Sequence, residues 1–358
     1  MLFVCITFDY ELFLQDNNAS YEDILFHPTE KIRVMLDEEN VKGTFFADVC
    51  SAIVHQKYGF SNYAETFLKQ IQFLTNKGHD VQLHLHPSWY RAKCYGNKLV
   101  PTYDGYRLHE FGFSDDSYSA IKIINDGVDY LNNYLGQVNK EYKCIAYRAG
   151  GFALQPEHLI LEAMIRKGVL IDSSIVPRMN NDLVNGFDYS AVPNLINWWI
   201  DPKHGLNNAC MAGKDRIFEV PVATLRPNLL KYLGLPSEKL RLPPGKLLGT
   251  YVTTPTELCR KSSMIKRLYR RLFDYRYVSL DTRYYERVLE DLIYIHKKYD
   301  LSQNDGYICL ICHPKLADDC RVENIRALIK EIKKNPDLFG IVTMREIYDK
   351  VYDKFSFI

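Results

Sequence analysis

Two histidines, His84 and His86, end an alternating run, Val81-Gln82-Leu83-His84-Leu85-His86, which Pro87 then stops. Successive strand side chains point to opposite faces, so Val81, Leu83 and Leu85 share one face and Gln82, His84 and His86 the other. At strand rise the two imidazoles stand about 7 Å apart. That is near enough to converge on one ion, and neutral imidazole is the commonest metal ligand. A pair of solvated or hydrogen-bonded histidines satisfies the same pattern. A metal centre also needs a carboxylate and acid–base partners, and other apolar runs end in such groups. Asp9 and Glu11 follow residues 2–8, two apart and able to face the same way. Arg148 follows 143–147, Asp172 closes 169–173, and His313 follows 307–312. Loop acids and an ordinary ion-pair arginine are the bland alternatives for each alone. What joins them is a shared place at the carboxyl ends of strands, where α/β barrels and open sheets carry their chemistry.

The elements that must position these residues follow in order. A continuous apolar strand at 2–8 fits a parallel strand covered on both faces. A helix is expected over 29–39, capped by Thr29, then a strand at 43–49. A helix over 63–76 carries Phe67, Ile71 and Leu74 on one face, with Gly78 at its C-terminal cap. After the histidine strand, residues 88–114 read as a long aromatic loop, either a covering lid or a substrate contact. Helices at 117–135, 156–167, 283–298, 322–334 and from 344, with strands at 143–147, 169–173, 216–224, 307–312 and 339–343, complete a βα series. Residues 175–215 and 225–282 break the pattern as insertions. The second holds a basic stretch, 261–276, with Lys266, Arg267, Arg270 and Arg271. Such a stretch is a solvated helix face or a peripheral contact with phosphate or an anionic membrane surface.

The chain has 358 residues, 47% of them hydrophobic, and a formal net charge of +1. This is a folded globular composition, and no overall field argues for nucleic acid. Its 9 cysteines show no disulfide spacing, and Cys309 and Cys312 read as small residues of a buried strand. The apolar start lacks a basic region and a cleavage pattern and is too short for a membrane span. It reads as a first strand, which implies a cytoplasmic protein with reduced thiols. Oligomeric state is not legible.

In this order the motifs resemble the NodB-type polysaccharide deacetylase family, carbohydrate esterases of family 4 type, with a flavour of the lipopolysaccharide and capsule subset. Thr7-Phe8-Asp9 matches T-F-D-D, with Tyr10-Glu11 in place of the second acid. Gly43-Thr44-Phe45-Phe46 matches the second strand, and Gly78-His79-Asp80-Val81 the lead-in to the histidine motif. Arg148-Ala149-Gly150 stands where R-P-P or R-A-G occurs, Asp172-Ser173-Ser174 resembles a D-S-S segment, and Cys312-His313-Pro314 the last motif. The resemblance implies a single α/β domain over 1–358, a distorted (β/α)7-type barrel with the two insertions. It implies a hydrolase that removes N-acetyl groups from a sugar or glycan. Asp9 would be the base that deprotonates the attacking water, Arg148 would orient Asp9, and His313 would be the acid for the leaving amine. Asp172 joins them as a catalytic candidate. Glu11, His84 and a second histidine would hold a divalent metal, zinc first, with nickel, cobalt or iron as alternatives. Trp89, Tyr10 and Phe152 are candidate substrate contacts. The family spacing H-x-x-x-H lands on Ser88, and this chain offers His86 instead. Either His86 completes the site, or the protein is a glycan-binding or scaffold relative with a degenerate one. Hydrolysis of another non-peptide C–N bond is the third reading.

Overall fold

The computed structural model describes residues 1–96, 98–114, 118–181, 185–226, 242, 243, 245, 247–250 and 274–355. Its frame is a ring of strands: β1 (Leu2–Tyr10), β2 (Thr44–Asp48), β3 (Asp80–Leu85), β4 (Ala146–Ala149), β5 (Ile171–Asp172), β6 (Ile217–Glu219) and β7 (Gly306–Cys312). They pair in parallel in the order β7-β1-β2-β3-β4-β5-β6. The ring closes just past β6, where Val222 bridges Cys309 in parallel. There the Cys309 N–H donates to the Pro221 carbonyl and the Ala223 N–H to the Cys309 carbonyl, each at 2.9 Å. This is a distorted (β/α)7-type barrel. The distortion has a visible source: β6 also pairs antiparallel with Trp198–Ile200, which forms a hairpin with Ala209–Cys210. That hairpin lies within the 175–215 stretch, where the sequence offered no regular pattern.

Helices α1 (His27–Glu38), α2 (Val49–Lys57), α3 (Ser61–Asn76), α4 (Ala120–Leu135), α5 (His158–Arg166), α6 (Tyr285–Lys298), α7 (Asp319–Lys333) and α8 (Met344–Tyr352) connect the strands. Helix α1 starts before Thr29, with Phe26 at its N-cap. Thr29 is therefore buried inside the first turn and does not cap it. Helix α2 had no sequence signal, because its residues are buried around most of its circumference and show no polar stripe. Helix α8 has a capping box, with Thr343 and Glu346 satisfying each other's backbone N–H groups. The 88–114 loop contains a small hairpin, Lys93–Tyr95 against Lys98–Val100. Among the described residues no helix is long and apolar enough to cross a membrane.

Strand alternation divides the chemistry. Asp9, Phe46 and Gln82 are register partners across β1, β2 and β3, as are Asp48, His84 and Arg148 one pleat further on. All of these side chains therefore share the interior face. The ring gathers the strand tips around one point.

Candidate metal and acid–base centre

Glu11, just beyond β1, meets His84 and His86 at the end of β3, and one potential ligand atom from each lies within 4.8 Å of the others. The His84 Nδ1–H donates to the Arg148 carbonyl at 2.8 Å. That carbonyl can only accept, so Nδ1 carries a proton and Nε2 faces Glu11 Oε2 at 3.0 Å. His86 Nε2 abuts the same carboxylate oxygen, yet neither ring nitrogen of His86 has a hydrogen-bond partner. The two rings meet edge-on, 4.7 Å between centroids at 89°. Two ring nitrogens thus point at one oxygen of a carboxylate that, when ionised, has nothing to donate. The arrangement calls for positive charge between them. Burial lowers the His84 imidazole, but the Glu11 hydrogen bond and the Asp9, Glu11 and Asp48 charges outweigh this and raise it. A divalent ion answers the same demand. The convergence of His84 and His86 nitrogens on one Glu11 oxygen and the donor set of two histidines and a carboxylate fit one.

Glu11 has a second neighbour, Lys315, whose Nζ donates to Glu11 Oε1 at 2.6 Å and to the Leu12 carbonyl at 3.0 Å. Burial pushes Glu11 up, but Lys315 first, and then the imidazoles, hold it well below the usual carboxylate range. Asp9, Glu11, Asp48 and Asp281 are all buried with Arg148 and Lys315. These buried carboxylates outnumber the two fixed cations, so positive charge added at the Glu11 end, from an imidazolium or a metal ion, is favoured there.

Two dyads flank this group. Arg148 Nη1 donates to Asp9 Oδ1 at 2.6 Å and to Thr7 Oγ1 at 2.8 Å, while Nε and Nη2 bind the Ser173 carbonyl and hydroxyl at 3.0 Å each. The guanidinium lies over the Phe46 ring, 4.1 Å from its centroid, so it is fixed on every side. On the other flank the His313 Nδ1–H donates to Asp281 Oδ2 at 2.7 Å, and Asp281 Oδ1 accepts the His313 backbone N–H at 3.0 Å. His313 Nε2 is thereby aimed inward, 3.7 Å from Asp9 Oδ2 and 3.8 Å from Glu11 Oε1. Burial opposes its charged form, but Asp281 foremost, then Asp9 and Glu11, raise it. The result is a carboxylate locked in place by arginine opposite an imidazole biased toward its acid form. Tyr106, whose ring lies 6.4 Å from His86, and the Phe152–Tyr277 pair, 5.4 Å apart and T-shaped, place aromatic surface beside it.

No family model matches the chain, and no curated relative matches it either. Solved structures do. PuuE allantoinase superposes with a TM-score of 0.50 at 10% identity, covering 99% of this chain and 90% of that one. The chain shares the fold of that allantoinase. A putative polysaccharide deacetylase from Mycobacterium smegmatis aligns with a TM-score of 0.49 at 16% identity, over 99% of this chain and 91% of that one. A probable polysaccharide deacetylase from Pseudomonas aeruginosa PAO1 gives 0.48 at 12%, over 99% and 91%.

The structure brings Asp9, Glu11, His84, His86, Arg148 and His313 together and leaves other candidates out. Asp172 is not at the centre. Ser173 faces inward to Arg148, so its neighbour Asp172 faces outward, where its carboxylate binds the Ser174 hydroxyl at 2.7 Å and backbone N–H at 3.1 Å. There it pairs in register with buried Glu219. Burial and the Asp172 charge raise Glu219 well above the carboxylate range. Trp89 is fully buried, with its indole N–H bound to Asp48 Oδ2 at 2.8 Å, and it offers no face to substrate. Tyr10 is equally buried and donates to Gln70 at 2.8 Å on the helix side of β1. Phe152 does stand beside the centre, as described above. Sequence reasoning missed Asp48, Asp281, Lys315 and Tyr106. Asp48 ends its strand as Asp9 does, and Lys315 follows His313-Pro314, so both carried a signal; Asp281 sits at the end of the patternless 225–282 stretch and carried none. Lys266, Arg267, Arg270 and Arg271 lie outside the described residues.

Proposed function

We propose that this protein is a metal-dependent hydrolase that removes the N-acetyl group from a sugar or polysaccharide intermediate. The observation that carries this reading is the placement of His313 Nε2, held by Asp281, within 3.7–3.8 Å of both Asp9 and Glu11. Base, ligand group and acid thus share one small volume. Glu11, His84 and His86 would hold a divalent ion, zinc first, which when bound polarises the amide carbonyl and acidifies water. Asp9 accepts the proton of the attacking water as the new C–O bond forms, and Arg148 holds Asp9 oriented through its 2.6 Å hydrogen bond. As the C–N bond breaks, His313 gives its Nε2 proton to the leaving nitrogen, without which an amide expels a very poor anion. Acetate and a free amine result. Tyr106, Phe152 and Tyr277 supply aromatic surface suited to a sugar ring. The buried free thiols of Cys5, Cys50, Cys144, Cys309 and Cys312 support a reducing cytoplasmic setting, where the substrate would be a nucleotide- or lipid-linked intermediate of lipopolysaccharide or capsule.

Lys315 favours a second reading. A cation already bound to Glu11 suits a centre that has given up its metal and binds glycan without cleaving it. The fold shared with an allantoinase keeps cyclic amides in view as a third. Elemental analysis of the purified protein, with acetate release measured over N-acetyl sugars and small amides, separates the three. Stoichiometric metal with sugar-dependent acetate is expected. A protein that refuses zinc, nickel, cobalt and iron would sink the hydrolase reading.

A further inference from the structure

His84 and His86 are oriented by different means. His84 is held by a hydrogen bond from its Nδ1–H to the Arg148 carbonyl, the usual way a ligating imidazole is fixed from behind. His86 has no such bond, since its Nδ1 is buried and unpartnered. What lies against Nδ1 is Gly150. A Cβ added there would stand 2.5 Å from His86 Nδ1, 2.6 Å from its Cε1 and 2.6 Å from the Leu85 carbonyl oxygen. Real Cβ contacts are never that close, so the ring rests directly on the glycine backbone. The rest of His86 is anchored too, because its N–H donates to Asp48 Oδ1 at 3.1 Å and Asp48 is held in turn by Trp89. Backbone conformation does not demand glycine at 150. Gly151 has φ +57°, whereas Gly150 is outside the left-handed region, so alanine is excluded at 150 by space alone.

We propose that Gly150 is the positioning residue for His86: the missing side chain admits the ring, and packing against that backbone aims Nε2 at Glu11 in place of a hydrogen bond. This rests on the ligand role given to His86 above, but the placement of the ring can be tested without metal. The two glycines then have separate reasons. Gly151 is there for its dihedral angles and for Tyr106, whose hydroxyl oxygen would lie 1.9 Å from a Cβ. Gly150 is there for His86.

A double-mutant cycle on the metal-free chain tests the idea. Gly150→Ala, His86→Ala and the double variant are compared by thermal unfolding in chelator, and zinc affinity is measured by calorimetric titration for each. Gly150→Ala is expected to lower the melting temperature and to weaken zinc binding about 10- to 100-fold, the usual effect of losing a ligand's support. Removing the ring removes its share of the clash and leaves only the contact with the Leu85 carbonyl, so adding Gly150→Ala to His86→Ala should cost clearly less melting temperature and change zinc affinity less than about twofold, as expected where one residue acts chiefly through the other. Equal melting losses in both backgrounds would mean that the clash is with the Leu85 carbonyl and not the ring, and would overturn the proposal. So would unchanged zinc affinity in Gly150→Ala. If the unmodified chain binds no zinc, the hydrolase reading fails while the melting cycle still decides the role of Gly150.

Discussion

Replacing Lys315 by methionine, which keeps the volume and removes the charge, isolates what the lysine does. Its side chain is 1% exposed and that of Glu11 6%, so solvent screens the pair little. Breaking a buried ion pair by removing one partner costs about 3–5 kcal/mol, because the remaining charge is left uncompensated. We take the lower figure, since His84 and His86 still face Glu11. Unfolding entropy of about 2.1 cal/mol/K per residue over 358 residues gives about 0.75 kcal/mol/K. A loss of about 3 kcal/mol therefore lowers the melting temperature by about 4 °C. The loss belongs to the metal-free chain. An ion held by Glu11, His84 and His86 would supply the missing charge, so the gap between variant and parent should narrow to about 1 °C or less in saturating zinc. Differential scanning calorimetry at pH 8, with chelator and then with zinc, makes the comparison. If Lys315→Met melts with the parent in chelator, the buried-pair argument is wrong. An undiminished gap in zinc would show instead that the ion and the lysine do not serve the same carboxylate.

Asp9→Asn removes the base but no ligand, so acetate release should fall about 10²–10⁴-fold, the range of general-base contributions, with zinc content unchanged by elemental analysis. Asp281 raises His313, so Asp281→Asn should move the alkaline limb of the kcat profile to lower pH while KM changes little. His55 donates from Nδ1 to the Ser51 carbonyl at 2.7 Å and sits 3.2 Å from the Tyr21 hydroxyl; burial lowers it to about 4. Between about 6.5 and 4 the unfolded chain binds a proton that the fold refuses, so stability falls by up to about 3 kcal/mol as pH drops through that window. Urea titrations of His55→Gln should show a shallower acid loss than the parent, with the part due to His79, also near 4, remaining.

What the sequence disclosed and what it hid divide along one physical line. Asp9, Glu11, His84, His86, Arg148 and His313 each end or follow an apolar run, and period-two alternation fixes which neighbours share a face. A reader of the chain can therefore gather them without knowing the fold. Asp172 broke the same rule because β5 is only two residues long, too short for alternation to be counted. Its parity was set by the partner strand, where Arg148 and Ser173 take the interior. Asp281 lies 32 residues from His313 and reaches it because Ser279 bridges Ile311 beside β7, a long-range pairing that leaves no periodic trace. Lys315 and Trp89 show the remaining gap. Lys315 drew no reading from the sequence and Trp89 was expected to touch substrate, whereas each is buried against a carboxylate, Lys315 against Glu11 and Trp89 against Asp48.

The two dyads are not equivalent, and their difference bears on how a substrate could enter. Arg148 is fully buried and Asp9 nearly so, and every donor nitrogen of the guanidinium is engaged inside the ring. His313, by contrast, keeps 18% of its side chain exposed. A base that takes a proton from water needs access to nothing larger than water, and sealing it in a poorly screened interior strengthens the arginine's hold. An acid must reach the leaving amine, and in a sugar amide that nitrogen carries the whole ring and whatever is attached to it. The more open dyad is therefore the one that should meet the bulk of the substrate. Tyr277, four residues before Asp281 and paired with Phe152, stands on that side. In the proposed reaction the acetyl group would point toward the buried Glu11 and Asp9. The same asymmetry explains why Asp281 could come from an insertion while Arg148 had to come from a barrel strand: the sealed half is built by the ring, the open half by what is laid over it.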